Sequence, residues 1–178
     1  MSSIETSKLN YFTLLKLPVS AEPDRLAMDM AYQQLQGSWH PDKFAGEDAS
    51  ARLEAVQKTS LLNDAYNTLK HPVSRAAYLL QLRGIEPWQH VQGELPSAFL
   101  LEQIALRESL EDLVNAADEA GLAKLGDEAS EAFDSYWAQF KSELDADTLP
   151  GAKAAFHKLQ FIAKLQEEIY EEEARLFD

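Results

Sequence analysis

Residues 23–69 read PDRLAMDMAYQQLQGSWHPDKFAGEDASARLEAVQKTSLLNDAYNTL, and this stretch decides the fold. Its first part sets Met28, Tyr32, Leu35 and Trp39 on one face at a spacing near 3.6 residues, which marks an amphipathic helix. Pro23 opens that helix, because a first-turn proline gives up only an N–H that has no partner inside the helix; Gly37 and Pro41 close it. The second part runs as a longer helix from about Ala49 to Leu69, with Ala55, Leu62, Tyr66 and Leu69 at core spacing. Two one-faced helices joined by the short loop HPDKFAGED bury their stripes against each other, so an antiparallel hairpin is expected. Pro41 keeps His40 out of helical angles, which leaves His40 and Asp42 pointing outward from a braced polar tip.

Working outward, a short helix with Tyr11, Phe12, Leu14 and Leu15 ends before Pro18, and a brief fourth helix follows Pro72. The stretch RGIEPWQHVQGELP (83–96), with its two glycines and two prolines, breaks the periodicity. It predicts two modules, residues 1–83 and 97–178, joined by a linker at 84–96. Beyond it, helices are expected from Ser97 to Glu119, Leu122 to Leu144 and Ala152 to Phe177, with turns at Glu119-Ala120-Gly121 and from Asp145 to Gly151. The middle one carries Leu122, Leu125, Ala129, Phe133, Tyr136, Phe140 and Leu144 in a stripe broken only by Gly126. Short connections imply antiparallel neighbours, hence a three-helix bundle, and with no alternating strand pattern the class is all-α. Trp39 belongs to the hairpin core, whereas Trp88 and Trp137 are expected to bury between the modules.

Composition removes several function classes. The chain has 178 residues and no cysteine, so a disulfide framework, a thiolate nucleophile and a thiolate-held zinc or iron-sulfur site are excluded. The opening MSSIETSKLN has no apolar signal core, and no apolar run is long enough to span a bilayer; a soluble, cytoplasmic protein is expected, without a membrane partner. The net charge of −14 argues against a nucleic-acid partner. All of that excess lies in residues 84–178, with 7 Lys/Arg against 21 Asp/Glu, while residues 1–83 balance at 9 and 9. Such asymmetry points either to two modules with different partners or to an acidic surface that serves solubility alone. The histidines, at 40, 71, 90 and 157, lack metal spacing and are expected at the surface or at helix caps; no metal or cofactor is expected. His40 and Asp42 form an acid-base pair with no nearby nucleophile or phosphate loop, so no catalytic residue is assigned and the chain is not expected to be an enzyme.

Taken together, the opening YFTLLKLP (11–18), the loop HPDKF (40–44) and the run NDAYNTLKHPVSRAAYLLQLRG (63–84) resemble a J-domain, specifically that of the HscB-type iron-sulfur co-chaperones. The resemblance continues through FLLEQIALRESLEDL (99–113) and KLQFIAKLQ (158–166). It implies that His40, Pro41 and Asp42 contact an HscA- or DnaK-type chaperone and accelerate its ATP hydrolysis, with Lys43 and Arg25 as supporting cations. Such J-domains usually line the second helix with several basic residues, but here Arg25 is the only one between Pro23 and His40. Docking is therefore expected either to be weaker or to lean on apolar contacts.

A second constellation is legible without the family. At about 100° per residue, Phe99, Leu106, Leu110, Leu113 and Ala117 form the core stripe of their helix, while Leu100, Leu101 and Ile104 fall roughly 100–200° round from Phe99. Glu108, Glu111 and Asp112 continue that side. On the last helix the stripe Ala155, Leu159, Ile162, Ile169 and Phe177 leaves Phe161 about 110° off its centre. These surplus apolar side chains serve either packing against a neighbouring element or binding. The resemblance implies binding: Leu100, Leu101, Ile104, Glu108, Asp112 and Phe161 map onto the surface that holds an IscU-type scaffold protein, with Ala105 where the family often has an acid. The run Glu167, Glu168, Glu171, Glu172 and Glu173 reads as a solvated face. Two other readings are a general J-protein for unfolded polypeptides, which typically adds Gly/Phe-rich or zinc-binding segments, and an acidic structural adaptor with an incidental HPD turn.

Overall fold

The computed structural model describes residues 10–89 and 95–177; His90, the 90–94 part of the expected linker and the side chain of Phe177 lie outside the described residues. Among the described residues every regular element is helical: α1 (Tyr11–Leu14), α2 (Arg25–Trp39), a 3-10 turn (Pro41–Phe44), α3 (Ala49–Lys70), α4 (Pro72–Leu82), α5 (Ser97–Ala116), α6 (Glu119–Asp145) and α7 (Leu149–Phe177). The chain forms two compact units that divide inside α4, between Tyr78 and Leu79.

In the first unit α2 and α3 make the antiparallel hairpin. Asp29 meets Tyr66, Tyr32 meets Asn63, and the Trp39 carbonyl meets Thr59, so partner numbers fall on α3 as they rise on α2. The helix starts are fixed by Asp24 and Asp48, whose side chains accept from the N–H groups of Ala27 and Ala51 at 3.0 and 2.8 Å. α2 therefore begins at Arg25 with Pro23 outside it, and runs through Gly37 to Trp39. Met28, Leu62, Leu69 and Phe12 are buried between the helices. Tyr32 stacks on Tyr66 with ring centroids 4.1 Å apart. Buried Arg75 donates to the Ala21 carbonyl at 2.7 Å and to the Leu69 carbonyl at 2.6 Å, which joins the α1–α2 loop to the orphan carbonyls at the end of α3.

The second unit is a three-helix bundle. α6 and α7 run antiparallel, with Ser130 meeting Gln166, and Leu122, Leu125, Ala129, Ile162, Leu165 and Ile169 buried along the seam. Leu110 and Phe99 bring α5 onto that seam. The expected turn at Glu119–Gly121 is the first turn of α6 instead. The break comes earlier, at Ala117, which takes left-handed angles (φ 49°) while its N–H and that of Asp118 bond to the carbonyls of Val114 and Leu113. Ala117 is thus exposed, not part of the core stripe. Asp118 then caps α6 through Gly121 N–H, and Gly121 is glycine because a Cβ there would collide with Leu113 and Asp118.

Two further expectations are corrected. His157 is fully buried, its Nε2–H donating to the Pro87 carbonyl at 2.8 Å; that carbonyl supplies the acceptor a buried ring needs. Trp88, expected to be buried, is half exposed and meets Phe156 edge-on. Trp137, half-buried, stacks with Phe133 and Phe140 of its own helix.

Backbone preference predicts opposite outcomes at three positions in the second unit. Ala117→Gly relieves a left-handed alanine, and Gly126→Ala adds a Cβ whose nearest neighbour is Ile169 at an ordinary 3.8 Å. Each is expected to raise unfolding free energy by up to about 1 kcal/mol. Gly121→Ala is expected to lower it. Urea unfolding of the three variants checks this, and an Ala117→Gly variant less stable than the parent contradicts the assignment of its turn.

Candidate functional site

The first surface is the tip of the α2–α3 hairpin. His40 precedes Pro41 and takes extended angles (φ −57°, ψ 127°), as the proline ring requires. Its Nδ1 accepts from the Asp42 N–H at 3.3 Å and lies 3.5 Å from the Asp42 carboxylate, so the imidazole caps the 3-10 turn. The two side chains remain 51% and 90% exposed. Thr59 clamps the Trp39 carbonyl just before the tip at 3.0 Å. Phe44, half-buried, shares a small cleft with Trp39, Ala51, Ala55 and the stem of Lys58, which seats the turn on α3. The outcome is a polar tip on a fixed base, with Lys43 exposed beside it.

Arg25 is not at this tip. It stands at the far end of α2, roughly 20 Å away at 1.5 Å per residue. There it pairs with Asp29 at 3.0 Å and lies over the Tyr66 ring. The Tyr66 hydroxyl, donating to Asp29 at 2.8 Å, is the main cause that holds the Asp29 carboxyl below its usual range, with Arg25 adding to it; the same bond raises Tyr66. α2 carries exposed Leu26 and Met30 in place of a basic row.

The second surface lies on α5 and α7, which run parallel. Leu100, Leu101 and Ile104 are 40%, 66% and 55% exposed, as the helical wheel requires of residues off the core stripe. Leu100 and Ile104 face Phe161 across an open groove of about 520 Å³, completed by Gln103, Arg107, Gln160 and Lys164. Phe161 is half-buried and meets Phe99 edge-on at 5.7 Å, so it serves the groove and the core at once. Lys158 lies over Phe99 and Tyr136, and burial raises the Tyr136 phenol. Leu101 stands outside the groove, and Glu108 and Asp112 are exposed further along α5 without lining it.

Gln103 was overlooked in the sequence although the same wheel puts it about 40° from Phe99, on the core stripe. It is 3% exposed, and among the described residues its Oε1 finds no hydrogen-bond partner. Arg107 sits at the stripe's edge and reaches Glu168 at 3.6 Å. Among the described residues no group of His, Asp and Glu could hold a metal ion, and no helix is long and apolar enough to cross a membrane.

Comparison with known proteins matches both units. Residues 10–78 match the DnaJ domain family, and residues 95–170 match the family described as the HSCB C-terminal oligomerisation domain. The chain is 37% identical to the co-chaperone protein HscB of Proteus mirabilis over 171 residues, covering 96% of this chain and 99% of that protein. The solved chaperone HscB from Vibrio cholerae superposes with a TM-score of 0.86 at 38% identity, over 95% of this chain and all of that one. Human co-chaperone protein HscB gives 0.88 at 28% identity, over 95% of this chain and 84% of that one. An exposed HPD tip on a helical hairpin, a three-helix second unit and relatives matched along nearly the whole chain agree: the protein belongs to the HscB family of J-domain co-chaperones.

Proposed function

We propose that this co-chaperone binds an IscU-type iron-sulfur scaffold on its α5/α7 face, presents it to an HscA- or DnaK-type chaperone in the cytoplasm, and accelerates that chaperone's ATP hydrolysis through His40, Pro41 and Asp42. The observation that carries the reading is the exposure of Leu100, Leu101 and Ile104. Burying a leucine-sized side chain is worth roughly 1.5–3 kcal/mol, and the fold leaves that gain unused on three residues of one helix face. A partner that covers them collects it. Phe161 closes the same groove from α7, while Glu108 and Asp112 are exposed charges further along α5.

The chaperone face is the tip. His40 and Asp42 project from a turn whose backbone is bonded to itself and whose Phe44 is anchored, so little order is lost on docking. The bond-breaking chemistry belongs to the partner's nucleotide site, and this chain's contribution is to favour the hydrolysing conformation by contact. Lys43 is a cation beside the tip; Arg25, held by Asp29 at the other end of α2, is a distant one. With Leu26 and Met30 exposed on that helix, docking rests mainly on apolar contact and the tip's hydrogen bonds.

Three outcomes are expected. His40→Gln abolishes stimulation of the partner ATPase in a steady-state assay, with helix content and scaffold binding unchanged; undiminished stimulation overturns the assignment of the tip. Chaperone affinity varies only mildly between low and physiological salt, because few charges are there to screen, and a steep fall contradicts the apolar docking. Leu100→Ala/Leu101→Ala/Ile104→Ala loses about tenfold or more in scaffold affinity yet melts near the parent, whereas Leu110→Ala costs about 2–5 kcal/mol of stability. Calorimetric titration and thermal melts separate the two, and a triple variant that melts far earlier places those residues in the core.

A further inference from the structure

Beyond the groove at Phe161 a second cleft, about 370 Å³, lies toward the C-terminal halves of α5 and α7; Arg107 lines both and its pair with Glu168 spans the two helices, so the clefts form a trough divided by that pair. Both clefts have apolar floors, but the charge at their rims changes sign along the way: Leu100, Ile104 and Phe161 are flanked by Arg107 and Lys164, whereas Leu110 and Val114 are flanked by Glu111, Glu168, Glu171 and Glu172. Glu168 is matched by Arg107 at 3.6 Å and by Lys164 at 3.8 Å, and Glu172 by Arg175. Glu111 and Glu171 take no ion pair among the described residues, so the far end holds uncompensated negative charge. Ile104 and Glu111 on one wall, like Phe161 and Glu168 on the other, are seven residues apart, roughly 10 Å of helix rise.

Gln103 adds an independent observation in the first cleft. Buried polar groups in folded proteins are nearly always hydrogen-bonded, yet this side chain lines the groove with an amide oxygen that no donor among the described residues reaches. A small rotation of the amide presents that oxygen to a partner, the kind of rotamer change common at interfaces.

Resting on the scaffold-binding reading above, we propose that the trough takes an amphipathic segment of the scaffold. Bulky apolar side chains fill the end at Leu100, Ile104 and Phe161, a hydrogen-bond donor meets Gln103, and a lysine or arginine roughly 10 Å further along sits between Glu111 and Glu171. The segment's polarity fixes its direction along α5. A segment with an acidic group at the far position is repelled, which makes Glu111 and Glu171 determinants of specificity.

Calorimetric titration of a purified IscU-type scaffold into the full-length protein tests this. Glu111→Gln/Glu171→Gln, two exposed changes, is expected to bind about tenfold more weakly at low salt and to converge with the parent at high salt. Gln103→Met, which removes an unpartnered acceptor at similar volume, is expected to melt no lower than the parent while binding several-fold more weakly. If the glutamine double variant binds like the parent at every salt while Leu100→Ala/Ile104→Ala does not, the trough is wrong and the scaffold face stands. If all of these variants bind like the parent, the scaffold face falls as well. A Gln103→Met variant with a lowered melting temperature and unchanged affinity makes the amide purely structural and removes it as an anchor. Sedimentation of the protein alone as a dimer that the Glu111→Gln/Glu171→Gln change dissociates identifies a second copy as the occupant and overturns the proposal.

Discussion

A helix laid against two neighbours has only one covered stripe, and the second unit depends on that geometric limit. α6 and α7 spend their apolar faces on each other, with Leu122, Leu125, Ala129, Ile162, Leu165 and Ile169 buried along the seam. α5 is seated on that seam through Phe99 and Leu110. Anything apolar on the rest of α5 has to face outward, because the bundle has no fourth helix to cover it. The groove is thus a consequence of having three helices and one helix with more apolar surface than its share.

The first unit obeys a different constraint, the stiffness of a proline-directed turn. His40 is pushed out of the helix by Pro41, while Trp39 before it and Phe44 after it are fastened to α3. The tip is thereby exposed without being loose. Behind it the hairpin is stapled by a polar seam of Asp29, Tyr66, Tyr32 and Asn63, where each hydroxyl finds a partner. This seam absorbs Arg25, and so the cation expected for docking is tied to the structure of the helix itself.

The two surfaces differ in character. The tip offers a few directional polar groups on a rigid base, suited to biasing a conformational equilibrium in another protein. The α5/α7 face offers apolar area with acidic side chains further along the same helices, which is what the proposed scaffold docking rests on.

Much of this was legible in the sequence. Periodicity located the five long helices α2, α3, α5, α6 and α7 and the exposed triad Leu100, Leu101 and Ile104, because a side chain's direction on a helix follows from its number alone. Pro41 dictated the geometry of His40 for the same local reason. The tertiary structure decided what distant residues do to one another: the burial of His157 under the Pro87 carbonyl, the half-exposed Trp88, and the groove that α7 builds opposite Leu100 with Phe161 and Lys164. It also moved the α5–α6 break to Ala117, since Gly121 is needed for room beside Leu113 and not for a turn. Gln103 stands between the two cases: the helical wheel placed it on the core side, but only the packing of α5 against α7 left its amide oxygen buried with no donor among the described residues in reach. Local direction is written in residue spacing, whereas solvation and hydrogen-bond partnership depend on which atoms of other helices arrive there.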